Sequence, residues 1–142
     1  LNPTKGNKTI GEATFEQDGG KVKVTIFVQG LKPDQEHGLH IHEKGDCSSG
    51  DGMSAGGHFN PHGKPHGNPN SSNRHAGDLP SLKANKQGRA NVQVEVDMIS
   101  VTAGPDSIVG RAVIVHADPD DFKTQPTGNA GARLACGVIR LN

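Results

Sequence analysis

The segment Gly38-Leu-His-Ile-His42 sets two imidazoles two residues apart. On a β-strand, side chains at that spacing point to the same face, so His40 and His42 can turn toward one ion while Ile41 faces the other way. Alone, such a pair is a weak signal. It gains weight from His58, His66, His75 and Asp78 downstream, and from His116 at the end of the apolar run Arg111 to His116. Imidazole suits zinc and copper, and a carboxylate can complete a zinc set. The spacing of His75 and Asp78 lets one turn of loop present both groups to a single ion. These seven groups exceed what one ion needs, which predicts two sites. Zinc would serve structure; a second, imidazole-rich site open to solvent would suit copper and its one-electron chemistry. The rival reading is a histidine-rich surface loop with no preferred ion. Two histidines stand apart in either case. His37 falls on the opposite strand face from His40 and is expected to be a hydrogen-bonded structural residue, while His62, in Pro61-His62-Gly63, is expected to be exposed.

The elements that must position these groups read as strands. Val22, Val24, Ile26 and Val28 alternate with Lys21, Lys23, Thr25, Phe27 and Gln29, the period-two pattern of a half-buried strand. The turn Asp18-Gly19-Gly20 precedes it, with Thr9 to Gln17 as hairpin partner. Val92, Val94 and Val96 alternate with Asn91, Gln93 and Glu95 after the turn Lys86-Gln87-Gly88, and Leu134 to Leu141 is a further apolar, β-rich run. No segment carries a capped helical stripe. Short strands divided by turns predict an antiparallel sandwich or barrel. From Glu43 to Leu79 the periodicity stops, and Gly, Pro, Ser, Asn and His take over. A loop of that length in a compact domain is commonly functional or disordered, and four of the eight histidines lie in it, which favours a loop organised by a ligand. A second irregular stretch, Ala117 to Ala132, follows His116.

Composition limits what else the chain can be. A length of 142 residues suits one domain spanning 1–142. Apolar residues make up 31%, without Trp or Tyr, so the core must be built from Val, Ile, Leu and Ala with help from elsewhere. The formal net charge is zero, which gives no whole-molecule reason to expect nucleic acid or an anionic membrane as partner. No apolar run reaches the length of a membrane span. Cys47 and Cys136 do not form a CxxC motif. They are either two separate buried thiols or a bridge closing a long loop, worth roughly 4 to 5 kcal/mol in the chain-entropy account.

Five stretches together resemble the copper/zinc superoxide dismutase family: His37 to Glu43, Ser54-Ala-Gly-Gly-His-Phe-Asn-Pro61, Arg74-His-Ala-Gly-Asp-Leu79, Gly110 to His116, and Gly128 to Ile139. They run over nearly the whole chain in the family's order. The resemblance implies an all-β, immunoglobulin-like Greek-key β-sandwich, a flattened eight-stranded barrel with two long functional loops. It implies copper held by His40, His42, His58 and His116, and zinc held by His58, His66, His75 and Asp78, with His58 bridging the two. Cys47 and Cys136 would form the family's disulfide. Arg133 would stand beside the copper and attract superoxide, and Asp120 would link a copper histidine to a zinc histidine. The implied reaction converts superoxide to dioxygen and hydrogen peroxide by alternate reduction and oxidation of copper, with His58 releasing its copper-side bond and taking a proton.

Some features depart from the animal members. Cys47 lies five residues after His42, earlier than in those proteins, and with the short stretch Asp118 to Thr127 it resembles the bacterial branch. The charged residues of the longer animal loop have no counterpart to carry over, and Lys123 is a loose candidate for their role. The chain starts late in what should be the first strand, with Leu1 to Pro3 as its remnant. Arg140 and Asn142 lie in a tail that contributes to the dimer in the animal type; a homodimer is therefore a candidate but does not carry over. A copper-only enzyme is disfavoured by the presence of His66, His75 and Asp78, a chaperone-like domain by the complete copper set, and a metal buffer by Arg133 and Asp120. The disulfide and the bacterial likeness favour the periplasm or the exterior, with the cytoplasm as alternative, since family members there keep the bridge too.

Overall fold

The computed structural model describes residues 1–141; Asn142, read above as part of the tail, lies outside the described residues. Nine short strands form among the described residues: β1 (Asn2–Pro3), β2 (Ile10–Asp18), β3 (Lys21–Gln29), β4 (Glu36–His37), β5 (Leu39–His42), β6 (Leu82–Lys83), β7 (Ala90–Val96), β8 (Ala112–His116) and β9 (Arg133–Val138). Pairing is antiparallel, in the orders β1-β9-β8-β5, β2-β3-β7 and β4-β6. The sheets close on one another. Leu1 and Gly11 exchange hydrogen bonds of 2.9 and 3.3 Å, joining β1 to β2. On the far side, β6 packs along β7 and pairs with β4. β4 runs into β5 with Gly38 alone between them. Counted as one strand, they leave eight in a flattened Greek-key barrel.

Local sequence explains these elements. Val22, Val24, Ile26 and Val28 are all buried, and the residues between them lie at or near the surface. Asp18 pairs with Lys21 across Gly19 and Gly20, and Gly19 takes φ +60, where a side chain is strained. The strand partnering β3 starts at Ile10 rather than Thr9, and the last strand covers Arg133–Val138 rather than reaching Leu141, which is 75% exposed. β5 and β8 are buried along their whole length instead of alternating. Their inward residues, Leu39, Ile41, Val113 and Val115, join the core, while His40, His42, Ala112, Ile114 and His116 lie on the outer face under the long loops.

Those loops are fastened to the barrel. Cys47 and Cys136 form a disulfide across 89 residues of sequence, packed against Ala55, Ala112 and Ile114 on the outer face. A bridge of that span constrains the unfolded chain strongly. Replacing Cys136 by Ser should therefore cost about 2–5 kcal/mol of unfolding free energy. Denaturant titration in the presence of a chelator measures this apart from any metal contribution, and an unchanged midpoint would remove the bridge from the list of structural supports.

Candidate metal centre

The site grows outward from β5. Its backbone is bonded to two segments of the long loop: Ile41 N donates to Gly77 O at 2.9 Å, and Phe59 N donates to Ile41 O at 2.8 Å. Gly77 N donates in turn to Phe59 O at 3.0 Å. Bridges between His42 and His58 and between His40 and Asp78 bring the loop's ligating types beside those of the strand. A side chain at Gly77 would strike the Ile41 carbonyl, so glycine is what allows this close approach. His116 joins from β8 through a bulge: the register between β8 and β9 slips after Val115, so His116 faces Arg133. Bulges commonly re-aim side chains beside functional sites.

His40, His42, His58 and His116 are all buried, and one nitrogen from each lies within 4.8 Å of the others. Each ring has one nitrogen tied. His40 Nε2 bonds Asp120 Oδ2 at 2.6 Å, His42 Nδ1 donates to Gly56 O at 2.8 Å, and His116 Nδ1 donates to Gly131 O at 3.3 Å. His58 Nδ1 bonds Asp78 Oδ1 at 2.9 Å. The remaining nitrogens, His40 Nδ1, His42 Nε2, His58 Nε2 and His116 Nε2, are buried without a partner among the described residues. Unsatisfied buried polar atoms are costly, and four that converge on one point fit a cation that accepts imidazole lone pairs.

A second convergence lies on the other edge of His58. His58 Nδ1 is 3.1 Å from His75 Nδ1, and Asp78 Oδ1 is 2.9 Å from His58 Nδ1, 2.9 Å from His66 Nδ1 and 3.6 Å from His75 Nδ1. A tetrahedral zinc with bonds of about 2.0–2.1 Å has ligand atoms about 3.3 Å apart, which these distances bracket. His40, His58, His66 and Asp78 also have atoms within 4.8 Å of one another. The fit of His40 to this second group is poorer, because its Nε2 is already held by Asp120. The donor chemistry of both groups thus fits transition-metal ions, with His58 facing both.

Asp120 joins the groups, since its Oδ1 lies 2.7 Å from His66 Nε2 while Oδ2 holds His40. Carboxylates of this kind fix the tautomer and orientation of ligating rings. Arg74 and Gln125 also support the site, though neither carries a spacing signature in the sequence. The Arg74 guanidinium is buried and donates to His75 O at 2.9 Å, Ala76 O at 3.2 Å and Asp97 Oδ1 at 2.8 Å, pinning the loop to the residue after β7. The Gln125 amide accepts from His66 N and donates to His66 O, both at 2.7 Å, stitching the second loop to the first. Arg133, half-buried, donates to Gly52 O at 2.9 Å. Gly52 has φ +78, and its Cα faces the Arg133 stem.

The remaining histidines lie away from both groups. His37 is buried, and its Nδ1 donates to His116 O at 2.9 Å. His62 is exposed and pairs with Asp106 at 2.9 Å. Lys123 is exposed and does not line the cleft that reaches His116 and Arg133.

The electrostatics follow from packing. Burial pushes the His58 imidazole down to about 4, with Asp78 opposing. Burial likewise lowers His40, His42 and His116. Burial also works against protonated His66, but its hydrogen bonds to Asp120 and Asp78 prevail and push it up to about 9. Although burial opposes it, the surrounding histidines hold Asp78 and Asp120 well below the usual carboxylate range.

Fold and site together define a class: an antiparallel Greek-key barrel with a paired histidine and carboxylate metal centre on its outer face, beneath two loops. The sequence profile of copper/zinc superoxide dismutase (SODC) matches residues 9–139, and the chain belongs to that family. A copper–zinc superoxide dismutase of Brassica juncea is 49% identical over 148 residues, covering 99% of this chain and 94% of that protein. An extracellular copper–zinc superoxide dismutase of Haemonchus contortus is 46% identical over 140 residues, covering 94% and 75%. The crystal structure of a SOD-like protein from Bacillus subtilis superposes with a TM-score of 0.86 at 36% identity, covering 95% of this chain and 92% of that one.

Two outcomes follow. Asp120→Asn keeps the shape but removes the charge that aligns His40 and His66, so metal affinity should fall about 10–100-fold with the barrel intact; competition titration against a chromophoric chelator measures it. Without metal, stability should fall as pH drops from 6.5 toward 4, because unfolded His58 takes up a proton that the folded ring refuses. His66 has the opposite sign, contributing fully below 6.5 and fading as pH rises through 9. Melting curves in chelator test this; a melting temperature level down to pH 4 would contradict a cluster of neutral buried rings.

Proposed function

We propose that this chain dismutates superoxide, converting two superoxide anions and two protons into one dioxygen and one hydrogen peroxide. The observation that carries the reading is the set of four inward imidazole nitrogens without partners beside the Arg133 cation, where a cleft opens to solvent. Membership of the family supports it. In this reading His40, His42, His58 and His116 hold copper, and His58, His66, His75 and Asp78 hold zinc. Copper held there would supply the one-electron exchange, and zinc, which has no redox chemistry, would serve structure only.

The chain's own residues do the rest. His58 is the catalytic proton carrier, because its Nε2 faces the copper set and can hold a proton whenever that nitrogen is not ligated. Arg133 is the second catalytic residue: its charge, anchored on Gly52, draws the anion to the His116 side of the set. Asp120 and Asp78 keep the ring orientations fixed. One domain spanning residues 1–142 carries the activity. The disulfide and the extracellular relative support a periplasmic or secreted location. Among the described residues no helix is long and apolar enough to cross a membrane. A homodimer is a candidate assembly, for which the exposed Leu141 offers one apolar contact; sedimentation velocity reads it directly.

The test is superoxide dismutation by the purified chain, with copper and zinc measured on the same sample. Activity proportional to copper is expected, and full metal loading with no activity would overturn the reading. Arg133→Ala should keep both metals while slowing the second-order reaction roughly tenfold at low ionic strength. If its metal content fell along with its rate, the separation of roles between Arg133 and the ligands would be wrong.

A further inference from the structure

The cleft over His116 has a volume of about 790 Å³, and its wall is not made by the two long loops alone. The turn after β1 supplies Thr4, Lys5 and Asn7. This turn is tightly held: Thr4 Oγ1 donates to Arg133 O at 2.7 Å, and Asn7 Nδ2 donates to Thr4 Oγ1 at 2.7 Å. Lys5 N donates to Gly50 O at 2.7 Å, tying the turn to the disulfide-bearing loop. Lys5 is exposed, and its stem runs beside Gly50 at the cleft's edge.

Charge decides what this position does. Among the described residues, and besides His116, the charged side chains lining the cleft are Lys5, Asp51 and Arg133. Asp51 is an anion on the approach to Arg133 and offsets part of its attraction for an incoming anion. The molecule as a whole has no net charge to offer. With Lys5 the described lining carries two formal positive charges against one negative; without it the two signs balance. Resting on the dismutase reading above, we propose that Lys5 is a steering residue that draws the superoxide anion into the cleft, and that Asp51 opposes it.

The proposal makes opposite demands on two neighbours. A unit charge about 10 Å from an incoming anion in a water-like medium changes its local concentration about twofold. Lys5→Ala should slow the second-order rate about twofold at low ionic strength and flatten its salt dependence, and Lys5→Glu should slow it about fourfold. Lys5→Arg should behave as the parent. Asp51→Asn should speed the reaction about twofold. It keeps the oxygen that accepts from Met53 N, so the loop is preserved. Rates are taken per bound copper on the metal-loaded protein, which separates steering from lost metal. Azide binding to the copper-loaded protein, followed by absorbance, gives a readout independent of turnover, and its affinity should follow the same order. An active parent whose Lys5→Ala and Lys5→Glu variants keep its rate, salt slope and azide affinity would overturn the proposal. A parent that is inactive, but whose azide affinity depends on Lys5 in this order, would remove the dismutase reading while upholding anion attraction by Lys5.

Discussion

The site answers to one constraint: four imidazole nitrogens are shut away from water, and nothing among the described residues bonds them. Leaving such atoms empty is expensive, and protonating the rings to satisfy them is opposed by burial. A cation bound in their midst would satisfy all four. Strands, bulge and loops can be understood by how they bring these nitrogens together and keep their opposite edges occupied. Each ring is held on one side by a backbone carbonyl or a carboxylate, which decides which nitrogen remains for the ion. His37, also buried, differs because both its ring nitrogens face backbone carbonyls, Nδ1 that of His116 at 2.9 Å and Nε2 that of Lys32 at 3.5 Å, and its ring lies outside both groups.

The outer face of β5 and β8 is an unusual place for such a centre, since loop backbone there must be satisfied without regular pairing. The chain meets this with charged and amide side chains rather than apolar bulk. Buried Arg74 gathers carbonyls from the first loop, Gln125 borrows both backbone groups of His66, and Asp120 reaches across to two rings. With 31% apolar residues, the barrel has little hydrophobic surface to spare for these loops. Their order depends on polar ties, the disulfide and the ions, which makes this region the one most sensitive to metal loss.

Much of this was legible in the sequence, for physical reasons. The β3 alternation appears in the chain because one face of that strand meets the core and the other meets solvent. The His40 and His42 pair was readable for a related reason, since period two puts both on one face. β8 hid its alternation because loops cover its outer side, so apolar residues occupy both faces. The bulge that sets His116 opposite Arg133 depends on how two distant strands register, and no local signal encodes that. Arg74 and Gln125 leave no such trace, because each captures backbone groups, which carry no residue identity. The ligand grouping came from family resemblance rather than spacing, and a loop without periodicity could not have supplied it.

The stitch between Gln125 and His66 has a consequence for how the molecule fills. It makes the two long loops mechanically one body, with His58 belonging to both groups of ligating types and Asp120 bonded to a ring in each. An ion that orders this body for itself also spares the next ion that entropy, and by reciprocity the second favours the first. Supplied with too little metal, a population of these chains would divide into empty and fully loaded molecules, with few between. A half-filled sample would then be a mixture of two species rather than a uniform intermediate.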